Sequence, residues 1–109
     1  MSETCRALFR DADNDIYLSA ASAWEIAVKH HLGKLPLPRP PQEFVPVQRL
    51  AHRIESLPIT ESAAIQLSSL PDRHRDPYDR MLICQAITEG LVILTPDVQI
   101  RQYPIRTMW

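Results

Sequence analysis

The chain has only two glycines, Gly33 and Gly90, among its 109 residues. A phosphate-cradling Walker loop or a dinucleotide fingerprint needs several glycines so that backbone can approach a phosphate, so both are excluded. Cysteine is as scarce. Cys5 and Cys84 form no CxxC pair and no zinc-ligand spacing, and read as two reduced thiols of a cytosolic protein. Neither sign of charge is in excess: 12 Lys and Arg stand against 13 Asp and Glu, a formal charge of -1. A protein that grips nucleic acid through a broad basic face is normally far more positive, so any such contact should be small and local. Long apolar runs are missing too. Those present fall far short of the ~20 residues of a membrane span, and the polar opening residues show no signal peptide. These absences imply a cytoplasmic protein without a membrane segment.

What is present fits one domain over residues 1–109, with 45% hydrophobic residues, enough for a single packed core. The ten prolines fall mostly between elements. A first helix is expected over about residues 3–11, before the turn Asp13-Asn14-Asp15. Ile16-Tyr17-Leu18 reads as a short buried strand. Ser22 and Glu25 match a capping box, which places Glu25 in the first turn of a helix that runs to His31 or Leu32 and stops at Gly33. A helix around residues 43–53 should be broken or restarted by Pro46. A short strand is expected within residues 54–59. Thr60 then caps a helix whose Ala63, Leu67 and Leu70 share a face, ended by Pro71.

The stretch from Asp76 to Asp97 is the most informative. Asp76 and Pro77 open a helix with a side-chain cap followed by proline at the first position. Its residues Met81, Leu82, Ile83, Cys84, Ala86 and Ile87 are apolar nearly all round, so it should be buried on more than one side, up to Gly90. Leu91-Val92-Ile93-Leu94 reads as a central parallel strand, with Asp97 just past its end, and a last edge strand is expected near the C-terminus. Alternating strands and helices imply an α/β fold with a parallel sheet, whose ligand site lies outside the carboxyl ends of the strands.

Three carboxylates meet that requirement: Glu25, Asp79 (with Asp76 beside it) and Asp97. Carboxylates forced together repel unless a cation sits between them, and a hard divalent ion, magnesium or manganese, is the natural one for oxygen ligands. Such an ion lowers the pKa of bound water and braces a phosphoryl oxygen, which suits phosphodiester hydrolysis. Each acid also has a plainer reading. Glu25 completes a capping box and pairs with Lys29; Asp76 is a helix cap; Asp79 favours the helix dipole; Asp97 is a loop residue. The functional reading rests on their sharing one edge.

At these residues the chain resembles the VapC-type toxins of the PIN-domain family. Ser19-Ala20-Ala21-Ser22-Ala23-Trp24-Glu25-Ile26-Ala27-Val28-Lys29 is similar to their second acidic motif. The segment from His74-Arg75-Asp76-Pro77-Tyr78-Asp79-Arg80 to Ala86 resembles the third, and Leu94-Thr95-Pro96-Asp97 the fourth. The resemblance implies a PIN-like (Rossmann-like) three-layer α/β fold and a magnesium- or manganese-dependent endoribonuclease. Glu25, Asp79 and Asp97 would act as metal and water ligands, with Asp76 an auxiliary acid. It also implies a VapB-type antitoxin as partner, and a homodimer. The family opens with a strand ending in a Leu-Asp-Thr-type motif whose aspartate is a principal ligand, whereas Met1-Ser2-Glu3 aligns with the helix after that strand. The expectation is therefore an N-terminally truncated domain with its first central strand missing. Loss of that strand leaves neighbours with unpaired backbone groups, each costing about 1–3 kcal/mol if buried. A start further upstream, a rearranged sheet or a partner chain would answer this. Asp11, Asp13 and Asp15 precede a strand and so sit at its wrong end to replace the aspartate.

Other residues carry two readings each. Arg73, His74, Arg75 and Arg80 either contact RNA phosphates or form a solvated, acid-paired cluster; Lys29 either contacts phosphate or pairs with Glu25. Thr95 either holds a metal-bound water or caps the strand end. His30 and His31 point about 100° apart on a helix and cannot form a zinc pair, so they are surface residues. Trp24 and Trp109 are expected in core or edge packing, and Gln85 needs a polar partner. Two functions follow: a metal-dependent ribonuclease, or a catalytically impaired PIN fragment that only binds an antitoxin or its own copies.

Overall fold

Local cap chemistry accounts for where most helices begin and end in the computed structural model, which describes residues 2–72 and 76–109. The chain forms two compact units, Met1–Asn14 with Ile59–Trp109, and Asp15–Pro58.

In the Asp15–Pro58 unit, β1 (Tyr17–Ser19) pairs in parallel with β2 (Glu55–Leu57), with Leu18 opposite Ser56. Parallel strands need a long crossover, supplied here by α2 (Ala20–His31) and α3 (Pro41–Ala51). The cap of α2 is Ser19, whose Oγ accepts from the Ala21 N–H at 3.0 Å. The Ser22–Glu25 capping box therefore does not form, and Glu25 lies beyond the first turn, which holds no acid. The reason is that β1 ends one residue later than expected, and its last residue is itself a good cap. Gly33, at φ 75°, closes α2: the Lys34 N–H reaches the Lys29 carbonyl and the Gly33 N–H the His30 carbonyl. The same closure ends α3, but there Arg53 occupies the left-handed position, at φ 56°.

Pro46 lies inside α3 without ending it. The helix starts earlier than expected, with Pro41 in its first turn, so Pro46 falls in the second turn and removes one ladder bond from a helix with no buried residue. Trp24 also departs from expectation, being 55% exposed. The packed face of α2 is narrow, with Ala21 its one buried residue.

The other unit opens with α1 (Glu3–Arg10), capped by Ser2. Thr60 caps α4 (Glu61–Gln66) through the Ala63 N–H. The chain then tightens into a 3-10 turn, Leu67–Ser69, which leaves Leu67 38% exposed instead of on a shared face with Ala63 and Leu70. Helix α5 (Pro77–Glu89) is followed by β3 (Ile93–Leu94), α6 (Val98–Arg101) and β4 (Thr107–Met108). β3 and β4 pair in parallel, with Ile93 opposite Thr107 and Leu94 opposite Met108. The strand expected over Leu91–Leu94 is thus only two residues long, because its partner offers no more. Trp109, just after β4, is 41% exposed.

The core of this unit joins Leu70, Ile83, Cys84, Ile100 and Tyr103, with Met81, Ile93 and Ile105 against it. Ile83, Cys84, Gln85 and Ala86 are buried in succession, so α5 is covered on all sides there, as its all-round apolar sequence requires. Gln85 is 2% exposed, and no buried side-chain polar atom among the described residues lacks a hydrogen-bond partner. Cys5 and Cys84 are free and buried.

Candidate active site

Asp76 caps α5 as its sequence demands. Its Oδ1 accepts from the Tyr78 N–H at 2.9 Å and the Asp79 N–H at 3.1 Å, and Pro77, which has no N–H to leave unsatisfied, fills the first helical position. Asp79 follows in the same turn and is half-buried. Two carboxylates thus stand at the positive end of a 13-residue helix, where the dipole favours them.

Asp97 repeats the device at the head of α6. Its Oδ1 accepts from the Gln99 N–H at 2.8 Å, while its own N–H donates to the Thr95 hydroxyl at 3.0 Å. Thr95 is 8% exposed, and its N–H donates to the Met108 carbonyl at 2.9 Å, so it also anchors the end of β3 on β4. Its strand-end capping role is present. Through Ile100, α6 shares a core with Ile83 of α5, so the elements carrying Asp76, Asp79 and Asp97 are packed as one body.

Glu25 belongs to the other unit. Lys29 Nζ lies 2.7 Å from its Oε2, and the Glu25 side chain is 23% exposed. The pairing reading is therefore realised; at i,i+4 on a helix surface it adds about 0.3–0.5 kcal/mol. The Arg80 side chain is 15% exposed, with Nη1 donating to the Pro71 carbonyl at 3.1 Å and lying 3.7 Å from an Asp72 oxygen. The acid-paired reading holds for Arg80, while Arg73, His74 and Arg75 lie outside the described residues. His31 is exposed, and His30 Nδ1 is 3.1 Å from the Leu35 carbonyl. Burial pushes the Cys84 thiol above its ordinary range, and the nearby Arg80 guanidinium opposes part of that rise.

Among the described residues, no group of three His, Cys, Asp or Glu is drawn close enough to hold a metal. The donors still suit a hard cation. Asp76 and Asp97 each cap with Oδ1, which leaves the second oxygen as a donor, and magnesium needs only one or two carboxylates beside its waters. A cleft of about 490 Å³ in the other unit is lined by Ala23, Ala27, His30, His31, Val45 and Pro46 among others. It offers no carboxylate and is not this site.

Comparison with known proteins decides the family. The PIN domain matches the chain over residues 1–105. The chain belongs to the PIN-domain family. Its fold is accordingly of the Rossmann-like α/β class, consistent with the two parallel strand pairs. Ribonuclease VapC16 of Mycobacterium tuberculosis (strain ATCC 25618 / H37Rv) is 58% identical over 41 residues, 38% of this chain and 29% of that protein's length. Within this PIN chain, sequence reasoning missed Tyr103 as a buried tie to the loop that precedes α5. Its hydroxyl donates to the Pro71 carbonyl at 3.2 Å. Its sequence neighbours, Gln102 and Pro104, gave no signal of burial; the tie appears only once the core places Tyr103 beside Leu70.

Proposed function

We propose that this chain is a metal-dependent endoribonuclease of the VapC toxin type, hydrolysing RNA phosphodiesters. The observation that supports this most is the packing of two acid-bearing helix starts, Asp76–Asp79 on α5 and Asp97 on α6, into one core of a PIN-family chain. The partial mycobacterial relative, named as a ribonuclease, points the same way.

In this reading residues 1–109 act as one domain. Asp79, Asp97 and Glu25 would hold the cation, Mg2+ or Mn2+, with Asp76 as an auxiliary acid. When bound, the cation supplies a water of lowered pKa and neutralises phosphoryl charge. The carboxylates would orient the attacking water, and a carboxylate oxygen not committed to the cation would accept its proton. Lys29, half-exposed beside Glu25, would meet a phosphate oxygen; Thr95 holds the Asp97 turn, and its hydroxyl proton would be its contribution to substrate binding. Arg80 steadies the first turn of α5, so it reaches substrate only by releasing Pro71. A balanced charge of -1 fits a short contact with RNA. The expected partners are a VapB-type antitoxin and a second copy of the chain, and the expected location is the cytoplasm. Among the described residues, no helix is long and apolar enough to cross a membrane.

The test is cleavage of a mixed RNA substrate by the purified chain with Mg2+ or Mn2+ and with chelator. Cleavage that needs the metal and falls at least about 100-fold in each of Glu25→Gln, Asp79→Asn and Asp97→Asn supports the assignment. Cleavage indifferent to all three overturns the site. A second reading, a non-cleaving module that binds an antitoxin or its own copies, is favoured by large apolar side chains at the surface: Leu50 is 68% exposed, and Ile65 and Val98 65% each. Antitoxin binding or self-association without any metal-dependent cleavage would select it.

A further inference from the structure

Two donors from different elements meet on one backbone oxygen. The Tyr103 hydroxyl donates to the Pro71 carbonyl at 3.2 Å, and Arg80 Nη1 donates to the same oxygen at 3.1 Å. A carbonyl oxygen has two lone pairs, so one acceptor serves both. Arg80 is the residue after Asp79 on α5. Tyr103 closes the far end of α6, its N–H donating to the Ile100 carbonyl, and α6 is capped at its other end by Asp97. The ring is 3% exposed within the core of Leu70, Ile83, Cys84 and Ile100.

A phenylalanine would fill that core equally well and bury no hydroxyl. A buried hydroxyl is costly unless it is bonded, and this one spends its bond on the carbonyl that also holds the neighbour of Asp79. We propose that Tyr103 is a positioning residue for the acidic site: through the shared Pro71 carbonyl it fixes the Asp97 turn relative to the Asp76–Asp79 turn. The inference rests on the metal-site reading above and adds the residue that holds the two acid-bearing turns in register.

The test uses the full chain and Mn2+ alone as probe. The Mn2+ dissociation constant is measured by the EPR signal of free ion, alongside thermal unfolding of the metal-free protein. Tyr103→Phe is compared with Ile83→Val, which thins the same core without touching the hydroxyl. Tyr103→Phe should weaken Mn2+ binding about three- to tenfold, the worth of one neutral hydrogen bond, while Ile83→Val lowers Tm and leaves the affinity unchanged. If Tyr103→Phe does not fold, Arg80→Lys, which loosens the second donor, carries the same expectation. Wild-type affinity in Tyr103→Phe overturns this inference and leaves the metal site standing, as does an equal loss in Ile83→Val. A wild-type chain whose Mn2+ binding is absent, or is unaffected by Asp79→Asn and Asp97→Asn, overturns both together.

Discussion

The backbone N–H of Asp97 donates to the Thr95 hydroxyl at 3.0 Å, two residues back along the chain. The bond folds Leu94–Asp97 into a tight turn at the end of β3 and presents the Asp97 carboxylate at the head of α6. Because Thr95 is 8% exposed, water does not readily replace the hydroxyl if it is removed.

Thr95→Val keeps the shape and deletes the acceptor. It should cost about 1–3 kcal/mol, the penalty of a poorly solvated N–H left unpaired, whereas Thr95→Ser should cost far less. Urea denaturation of the three proteins checks the order.

Asp97→Asn should leave stability within about 0.5 kcal/mol, because asparagine caps a helix as well as aspartate does. Asp76→Ala, in contrast, removes an acceptor that serves two N–H groups and should destabilise by about 1 kcal/mol or more. Comparing unfolding midpoints separates the cap from the charge. A large loss of stability in Asp97→Asn would mean that the charge itself is structural.

Arg53 holds a left-handed conformation that costs a side-chain-bearing residue about 1–2 kcal/mol. Arg53→Gly relieves it at the expense of a more flexible unfolded chain, for a net gain of about 0.5–1 kcal/mol. The expected readout is a higher Tm.

The buried Cys84 thiol stays neutral in the fold at a pH where the unfolded thiol, with its ordinary pKa of 9.0, has ionised. Above about pH 9 the unfolded chain therefore binds fewer protons than the folded one, and stability falls as pH rises. Cys84→Ala should flatten that alkaline limb. In the native protein at neutral pH, both thiols should resist Ellman's reagent and react on unfolding.

Features set by neighbours in the chain are readable in the sequence. Asp76-Pro77 and Gly90 bound α5 because a cap, a fixed φ and a left-handed stop all act within a few residues. Where two local solutions compete, that reading fails. Ser19 and Ser22 can each cap a helix, and the choice fell to Ser19 because β1 extends to it through its pairing with Leu57, a residue far along the chain. Strand length is equally non-local: Leu91 and Val92 are as apolar as Ile93 and Leu94 but have no partner in β4. At the site, the capping oxygen of Asp76 follows from its place before Pro77, whereas Asp97, read as a loop residue, caps the four-residue helix α6, which the sequence reading did not expect. The meeting of Arg80 and Tyr103 on Pro71 is not local either, since it depends on how α5 and α6 pack.

Ser19 is both the last residue of β1 and the cap of α2, so no slack separates strand from helix. Glu25 thus rides on a rigid rod bolted to the strand, and its heading is set by residue count. One residue inserted after Ser19 would swing that carboxylate about 100° around the helix axis, and one deleted would swing it as far the other way. Length at this junction should tolerate less change than side-chain identity does.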